Sequence, residues 1–530
     1  MSSNTATGNR NLVPIITMMF LFAMISFVTN MAAPFGNIWG NQYPWSGMLG
    51  NLMNFAAYLF MGIPAGKMLA RVGYKKTALY ALILGFVGLG VQYLSSIIGT
   101  GTAVFHTVVD NTDYLGVTTE ETVAVTLNLF IYLLGAFICG FCVCMLNTVV
   151  NPMLNILGGG GKKGNQLLQT GSSLNSLAGT LTPMLVGALI GSVTPKTSMS
   201  DVAPLLFIGM GIFAISYFVI SLAKIPEPAL ERAKADKAAG KAPMKFEHSP
   251  WKFRHFVLGA IGIFFYVGIE IGIPAELNFY LSDASDKGAG LIVNGAAIGG
   301  AIVAVYWLLM LVGRVASGFI SGLISTRIQL LTVSGLGSIL ILIAIMIPKE
   351  SRLDVPTFIY NPESKTETIL KNIGVGESDI ASFKAAPDAF VWSEHYDNPD
   401  TKEVVEDINL RAALYDEAKV KVEDAPKMLN TPSIPLSAIF LILCGLCTSL
   451  MWGGIFNLAV EGLGKYTEQA SGIFMMLVVG GGIMPLIQHN IIASALGYMA
   501  SYWLVIAMLL YLFYYAVVGC KNVNKDIPVD

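Results

Sequence analysis

The sequence predicts an all-α membrane protein: twelve transmembrane helices arranged as two six-helix pseudo-repeat bundles. Three observations predict this. Only 12% of the 530 residues are charged and 54% are hydrophobic, whereas a soluble domain carries about 25% charged residues. Mean hydropathy is +0.64, and so few charges cannot coat a soluble chain of this size. Apolar runs near the roughly 20 residues that cross a bilayer recur twelve times. A basic stretch, 224–254, falls midway between two groups of six runs.

The runs lie near 13–36, 46–69, 77–99, 125–151, 166–193 and 202–223, then near 255–282, 291–320, 327–347, 435–460, 470–488 and 494–519. The first follows a single basic residue, Arg10. It is too long for a signal-peptide core and shows no cleavage site, so it is expected to stay as the first span. The domain plan is therefore an N-terminal bundle over 1–223, a linker over 224–254 and a C-terminal bundle over 255–530. The latter carries a polar insertion at 348–434, with 17 of the 34 acidic and 10 of the 32 basic residues. Within it, 401–422 has helix-like patterning. A smaller polar loop, 99–124, precedes the fourth run.

Basic residues set orientation, counted best over short loops. With the N-terminus inside, twenty of the 32 lysines and arginines fall in inner segments or at inner helix ends, Arg314 and Arg327 among them. The short outer loops hold Lys196 and Lys287. Both termini are therefore expected in the cytoplasm of a bacterial inner membrane, with 348–434 in the periplasm as a lid, a docking surface for a periplasmic partner, or decoration.

Internal repeats support the division. The stretch from Ala65 to Lys76 after span 2 has a counterpart from Ser317 to Gln329 after span 8. Asn151–Gly158, near the end of span 4, is echoed by Asn457–Gly464 near the end of span 10. Duplication at corresponding places is typical of transporter halves.

Several chemistries are excluded. The net charge of −2 makes no case for nucleic acid. Gly158–Gly161 with Lys162 and Lys163 lacks the phosphate-loop spacing and any preceding strand, which excludes a nucleotide. Cys444 and Cys447 form a C-x-x-C, but no histidine or second cysteine pair completes a metal set. All six cysteines read as small apolar packing residues, and no cofactor is implied.

Charge inside a span is costly and usually marks function. Glu270 and Glu276, both in span 7, are the acids that fall within spans, and every basic residue is assigned to a loop or helix end. Glu270 lies about 22 Å into its helix at 1.5 Å per residue. Tyr266 is one turn before it, Gly272 and Pro274 follow, and a broken helix beside a buried carboxylate is how transporters build central sites. Glu270 is thus the candidate for proton uptake and release and for binding the sugar. Glu276 is expected nearer the outer surface, in water, and His489 isolated at a helix end. Amides suit a sugar, whose hydroxyls both donate and accept. Asn147 and Asn175 are the leading ones, with Tyr266 as a site neighbour and Trp452 among the rings that could stack on a sugar face. The absence of a buried cation favours a neutral solute over a carboxylate or phosphate. The loop with Gly66, Arg71, Gly73, Lys75 and Lys76 is read as a gating and topology element.

These residues carry a resemblance. Gly66–Lys76 looks like the short inner loop of the major facilitator superfamily. Ile63–Gly66, Asn147–Pro152, Phe264–Glu270 and Glu461–Pro485 resemble its fucose permease-like branch, sugar/proton symporters that include glucose/galactose-type members. The likeness covers all twelve spans but neither 348–434 nor the 99–124 loop. It implies a monomeric secondary transporter importing a neutral monosaccharide with protons by alternating access. The branch's acids in spans 1 and 4 are replaced by Ala33 and Asn147, which keeps open an uncoupled facilitator or a carrier of another small neutral solute. A non-transporting sugar sensor on the same fold is a further alternative, and an enzyme is not expected.

Overall fold

The structure, a computed structural model, describes residues 12–112, 118–159, 161–190, 198–227, 230–231, 248–282, 287–291, 295–320, 323–361, 367, 376–385, 432–524 and 526–529. Among them, ten helices are long and apolar enough to cross a membrane. One of the ten, Leu49–Leu94, is two spans joined at Gly73, where the backbone leaves helical geometry at φ 87°. One more helix, Gly161–Ile190, runs beside the others. Twelve spans result, in the order the sequence predicts.

Span 1 is Leu12–Gln42, and spans 2 and 3 share Leu49–Leu94. Span 4 is Leu127–Leu157, span 5 Gly161–Ile190 and span 6 Ala203–Leu222. Span 7 is Arg254–Ser282, span 8 Gly295–Ile320 and span 9 Thr326–Met346. Span 10 is Ser437–Val460, span 11 Gln469–Leu496 and span 12 Tyr498–Gly519. Apolar residues such as Phe218, Leu222 and Phe319 stay exposed on the outer faces of these helices. That is what a lipid-facing surface requires and a water-facing one penalises.

The 99–124 loop adds an element that its polarity concealed. It is an antiparallel hairpin, β1 Ala103–Thr112 with β2 Thr118–Thr126. Its base packs on the bundle through Phe105, stacked on Trp45 at 6.3 Å, and Tyr43 donates to the Ala124 carbonyl at 2.9 Å. The roots of the 348–434 insertion pair as β3 Arg352–Asp354 and β4 Ser433–Pro435. A short helix, Glu377–Ala385, follows within the insertion. The expected helix at 401–422 lies outside the described residues.

The two halves share a construction detail that the repeats foreshadow. Lys75 stands nine residues after Gly66, and Arg327 nine after Gly318. The Lys75 ammonium donates to the carbonyls of Ser221 and Ala223 at the end of span 6, at 2.6 and 2.8 Å. Arg327 donates to Ala516 and Val517 at the end of span 12, at 2.7 and 2.6 Å. Each cation satisfies orphan carbonyls at the negative end of its own half's last helix. The caps of spans 3 and 9 differ. Ser325 caps span 9 with its own hydroxyl. The corresponding residue, Gly73, has no side chain, and Glu227 from the start of the linker caps span 3 instead. Its carboxylate accepts from the Tyr74 and Lys75 amides at 2.7 and 2.9 Å. A Cβ on Gly73 would sit 2.2 Å from that carboxylate.

The halves meet along pseudo-equivalent helix pairs, span 2 on span 11 and span 5 on span 8. Small residues allow the approach. A Cβ on Gly62 would lie 2.6 Å from the Met476 amide nitrogen, one on Gly472 3.2 Å from Gly66 Cα, and one on Gly318 2.8 Å from the Thr170 hydroxyl.

Candidate functional site

Between the halves lies a cavity of about 720 Å³, within the range of small-molecule sites. Spans 1, 2, 4 and 5 line it from one half and spans 7, 8, 10, 11 and 12 from the other. It extends toward the end of the bundle that carries the hairpin, where Gly36, Gly40 and Gly47 border it. At the other end the halves close on each other. Asn155 bonds to Asn457, Gln169 donates to the Leu450 carbonyl at 3.3 Å, and Trp452 donates to Asn151 at 2.9 Å.

Glu270 is where the sequence predicts it, on the cavity wall, with 13% of its side chain exposed. Pro274 lies four residues on and has no N–H, so the Glu270 carbonyl loses its helical partner. The Tyr306 hydroxyl takes that place, donating to the Glu270 carbonyl at 3.3 Å and contacting the Thr448 hydroxyl at 3.0 Å. Span 11 repeats the device. Pro485 frees the Gly481 carbonyl, and Asn51 donates to it from span 2 at 3.2 Å. In both spans the backbone carbonyl that a proline leaves without its helical partner is satisfied by a side chain from a neighbouring span.

The expectation of a cavity without a cation is corrected. Arg314 is no inner-end residue: it lines the cavity and is 5% exposed. Its Nη2 donates to Glu270 Oε1 at 2.8 Å. Its Nη1 donates across the interface to the Ser172 carbonyl at 3.1 Å and to Asn175 Oδ1 at 3.3 Å. A buried guanidinium is tolerated only when paired and hydrogen-bonded, and these three acceptors serve its two terminal nitrogens, while Nε is buried without a partner among the described residues. The inference drawn from a missing cation fails with its premise. Neutrality returns by another route, because the carboxylate cancels the guanidinium.

Asn147, Asn175 and Glu270 line the one cavity. Asn147 donates to the Tyr58 hydroxyl at 2.8 Å and accepts from Asn151 at 3.3 Å. Asn175 donates to the Phe22 carbonyl at 3.1 Å while accepting from Arg314. Tyr266 does not reach the wall. It is fully buried behind Trp452, with ring centroids 6.1 Å apart, and its hydroxyl faces Glu270 without a bond of ordinary geometry. Trp452 presents its ring to the cavity in its place. The loop residues Gly66, Gly73 and Lys75 belong to the closed end and its caps, not to the cavity wall. Ala33 lies within span 1.

Glu276 and His489 also depart from expectation. Glu276 is 2% exposed rather than in water, and its Oε2 lies 3.1 Å from His489 Nδ1. His489 stacks on Phe279 at 4.1 Å and borders the cavity. Separated by more than two hundred residues, the two give no local signal of a pair. Arg314 left a faint one, since Leu308–Val312 before it and Val315–Ile320 after it make a charge enclosed by apolar sequence.

No family model matches the chain. It is 25% identical, over 96% of its length and 94% of the relative's, to a glucose/galactose transporter of Brucella abortus biovar 1 (strain 9-941). It is 24% identical, over 88% of its length and 86% of the relative's, to a putative glucose/galactose transporter of Helicobacter pylori (strain ATCC 700392 / 26695). Among solved structures, a variant of the E. coli fucose:proton symporter superposes with a TM-score of 0.59, 15% identity and 95% and 98% coverage. A proton:xylose symporter of the same superfamily gives 0.53, 9% identity and 97% coverage of both chains. With twelve spans in two halves around a central cavity, the chain is a multi-pass membrane protein with the fold of these sugar symporters, and over its whole length it is similar to glucose/galactose transporters.

Proposed function

We propose that this protein imports a neutral monosaccharide of the glucose, galactose or fucose class together with protons, by alternating access, and that Glu270 is the titrating group. The observation that carries the reading is the Glu270–Arg314 pair on the cavity wall. With Glu270 ionised the pair is neutral and ties span 8 to span 7. Protonation removes the charge that Arg314 needs, and its remaining acceptors, Ser172 and Asn175, lie in the other half. A proton on Glu270 is thereby felt at the interface between the rocking halves, without acids at Ala33 or Asn147. Asn147, Asn175 and the Trp452 ring offer a sugar hydrogen bonds and a stacking face.

The termini are cytoplasmic in this reading, so the cavity faces the periplasm and the closed end faces the cytoplasm of a bacterial inner membrane. The protein works as a monomer, and the 348–434 insertion is a periplasmic element open to a partner there. The curated relatives are named for glucose and galactose, which sets the panel to test. Purified protein in liposomes should exchange one of these labelled sugars in counterflow, and an inward proton gradient should drive its net uptake. Binding without counterflow would turn the reading toward a sensor. Counterflow indifferent to the gradient would turn it toward a facilitator.

A further inference from the structure

The sugar reading leaves one part of the cavity unused. His489 borders it, at the level of Glu276, which lies six positions and so about 9 Å along span 7 from Glu270. We infer that His489, positioned by Glu276, is a second sugar-binding residue near the cavity mouth, recognising a hydroxyl through its Nε2. The inference rests on the sugar reading above and adds a residue to it.

Four observations converge on this residue. Glu276 Oε2 lies 3.1 Å from His489 Nδ1. Glu276 is buried, and this contact commits Nδ1 to the carboxylate and leaves Nε2 as the ring's other hydrogen-bonding nitrogen. Phe279 stacks on the imidazole at 4.1 Å and 25° between planes, which fixes the ring's orientation. Nε2, across the ring from Nδ1, has no hydrogen-bond partner among the described residues, and His489 retains 29% side-chain exposure beside the cavity. His489 also lies in a π-helical segment, Ile487–Ala493, within span 11. Such segments recur at functional sites because they re-aim side chains that an α-helix would direct elsewhere.

A purely structural role would need the pair alone. It does not call for a ring with one nitrogen unclaimed at the cavity edge. The stacked, carboxylate-oriented imidazole is how proteins fix which nitrogen meets a ligand. A hydroxyl is the partner that suits it, since a hydroxyl can both donate and accept and so meets Nε2 in either role. The titratable groups around the ring are Glu276 from span 7 and the Tyr498 phenol from span 12, with the Tyr502 phenol beyond Glu276.

The test uses the full-length protein in detergent and a panel of glucose, galactose and fucose with their monodeoxy analogues. Dissociation constants are read from tryptophan fluorescence. His489→Gln keeps a donor for Glu276, so the fold is expected to survive. The double variant His489→Leu/Glu276→Leu removes both polar groups and guards against an orphaned carboxylate. Wild type should lose about 3- to 10-fold in affinity when one particular hydroxyl is deleted, the range for one neutral hydrogen bond. Both variants should bind the parent sugar that much more weakly and be indifferent to that deletion. Glu276→Gln, whose carbonyl still accepts from Nδ1–H, should restore most of the discrimination lost in Glu276→Leu. If His489→Gln and the double variant keep the wild-type deoxy-sugar profile, the inference is overturned while the sugar reading stands. If wild type binds no sugar of the panel, both are overturned.

Discussion

Arg314 donates to Glu270 at 2.8 Å and, with its other terminal nitrogen, to Ser172 and Asn175 of the opposite half. One guanidinium thus joins the candidate proton site to the interface that must open and close. The proposed proton coupling needs such a group, because a proton can bias two conformations only through contacts that differ between them.

The pair makes a non-additive stability prediction. Removing one member leaves the other charge buried and unpaired, which costs about 3–5 kcal/mol, whereas replacing both can be near neutral. Glu270→Gln and Arg314→Gln should each lower the melting temperature in detergent more than the double variant does. A double variant at least as unstable as the two singles combined would show that the pair is not an isolated, mutually compensating unit.

The same pair predicts the pH response. Wild-type uptake at fixed internal pH should rise as the external medium is acidified, since the proposed transport carries protons inward. Glu270→Gln mimics the protonated state permanently, so counterflow should persist while the dependence on external pH flattens. Uptake that stays equally sensitive to the gradient in Glu270→Gln would remove the coupling role from this residue.

Gly73 sits at φ 87° with the Glu227 carboxylate where a Cβ would go. Gly73→Ala should cost about 1–3 kcal/mol from backbone conformation alone, and more if Glu227 is displaced from the start of span 3. Glu227→Gln should cost less, because an amide oxygen still accepts from the Tyr74 or Lys75 amide. Thermal unfolding of the purified variants measures both, and equal melting temperatures for Gly73→Ala and wild type would refute the steric argument.

Closure of the end opposite the hairpin depends on Gly62 meeting the backbone of span 11, with a Cβ only 2.6 Å from the Met476 nitrogen and 2.7 Å from the Gly472 carbonyl. Backbone cannot yield as a side chain can, so Gly62→Leu should shift the population toward the conformation open at that end. A cysteine introduced at Asn155 would report this by faster labelling with a membrane-impermeant maleimide in inverted vesicles. The six native cysteines are buried and add little background. Unchanged labelling would mean that Gly62 does not control closure.

The number and order of the helices were legible in the sequence because apolar length, basic loop charge and short repeats are local sums over neighbouring residues. Glu270 and Pro274 were legible for the same reason, four residues apart on one helix. The hairpin at 103–126 was not, since its polar alternation looks like an ordinary loop until Trp45 and Tyr43 pack against it.

By itself the sequence determined twelve spans, two halves and an acid in the seventh. Arg314 shows what it could not decide. The residue lies six positions before the end of span 8, where a long cationic side chain can equally snorkel to the membrane surface. Only the packing of span 5 and span 7 against it, which brings three acceptors within hydrogen-bond reach, turns it inward. His489 and Glu276 are the same case: whether a charge lies in lipid, water or a partner's reach is a property of the helices around it, and no local stretch of chain contains that information.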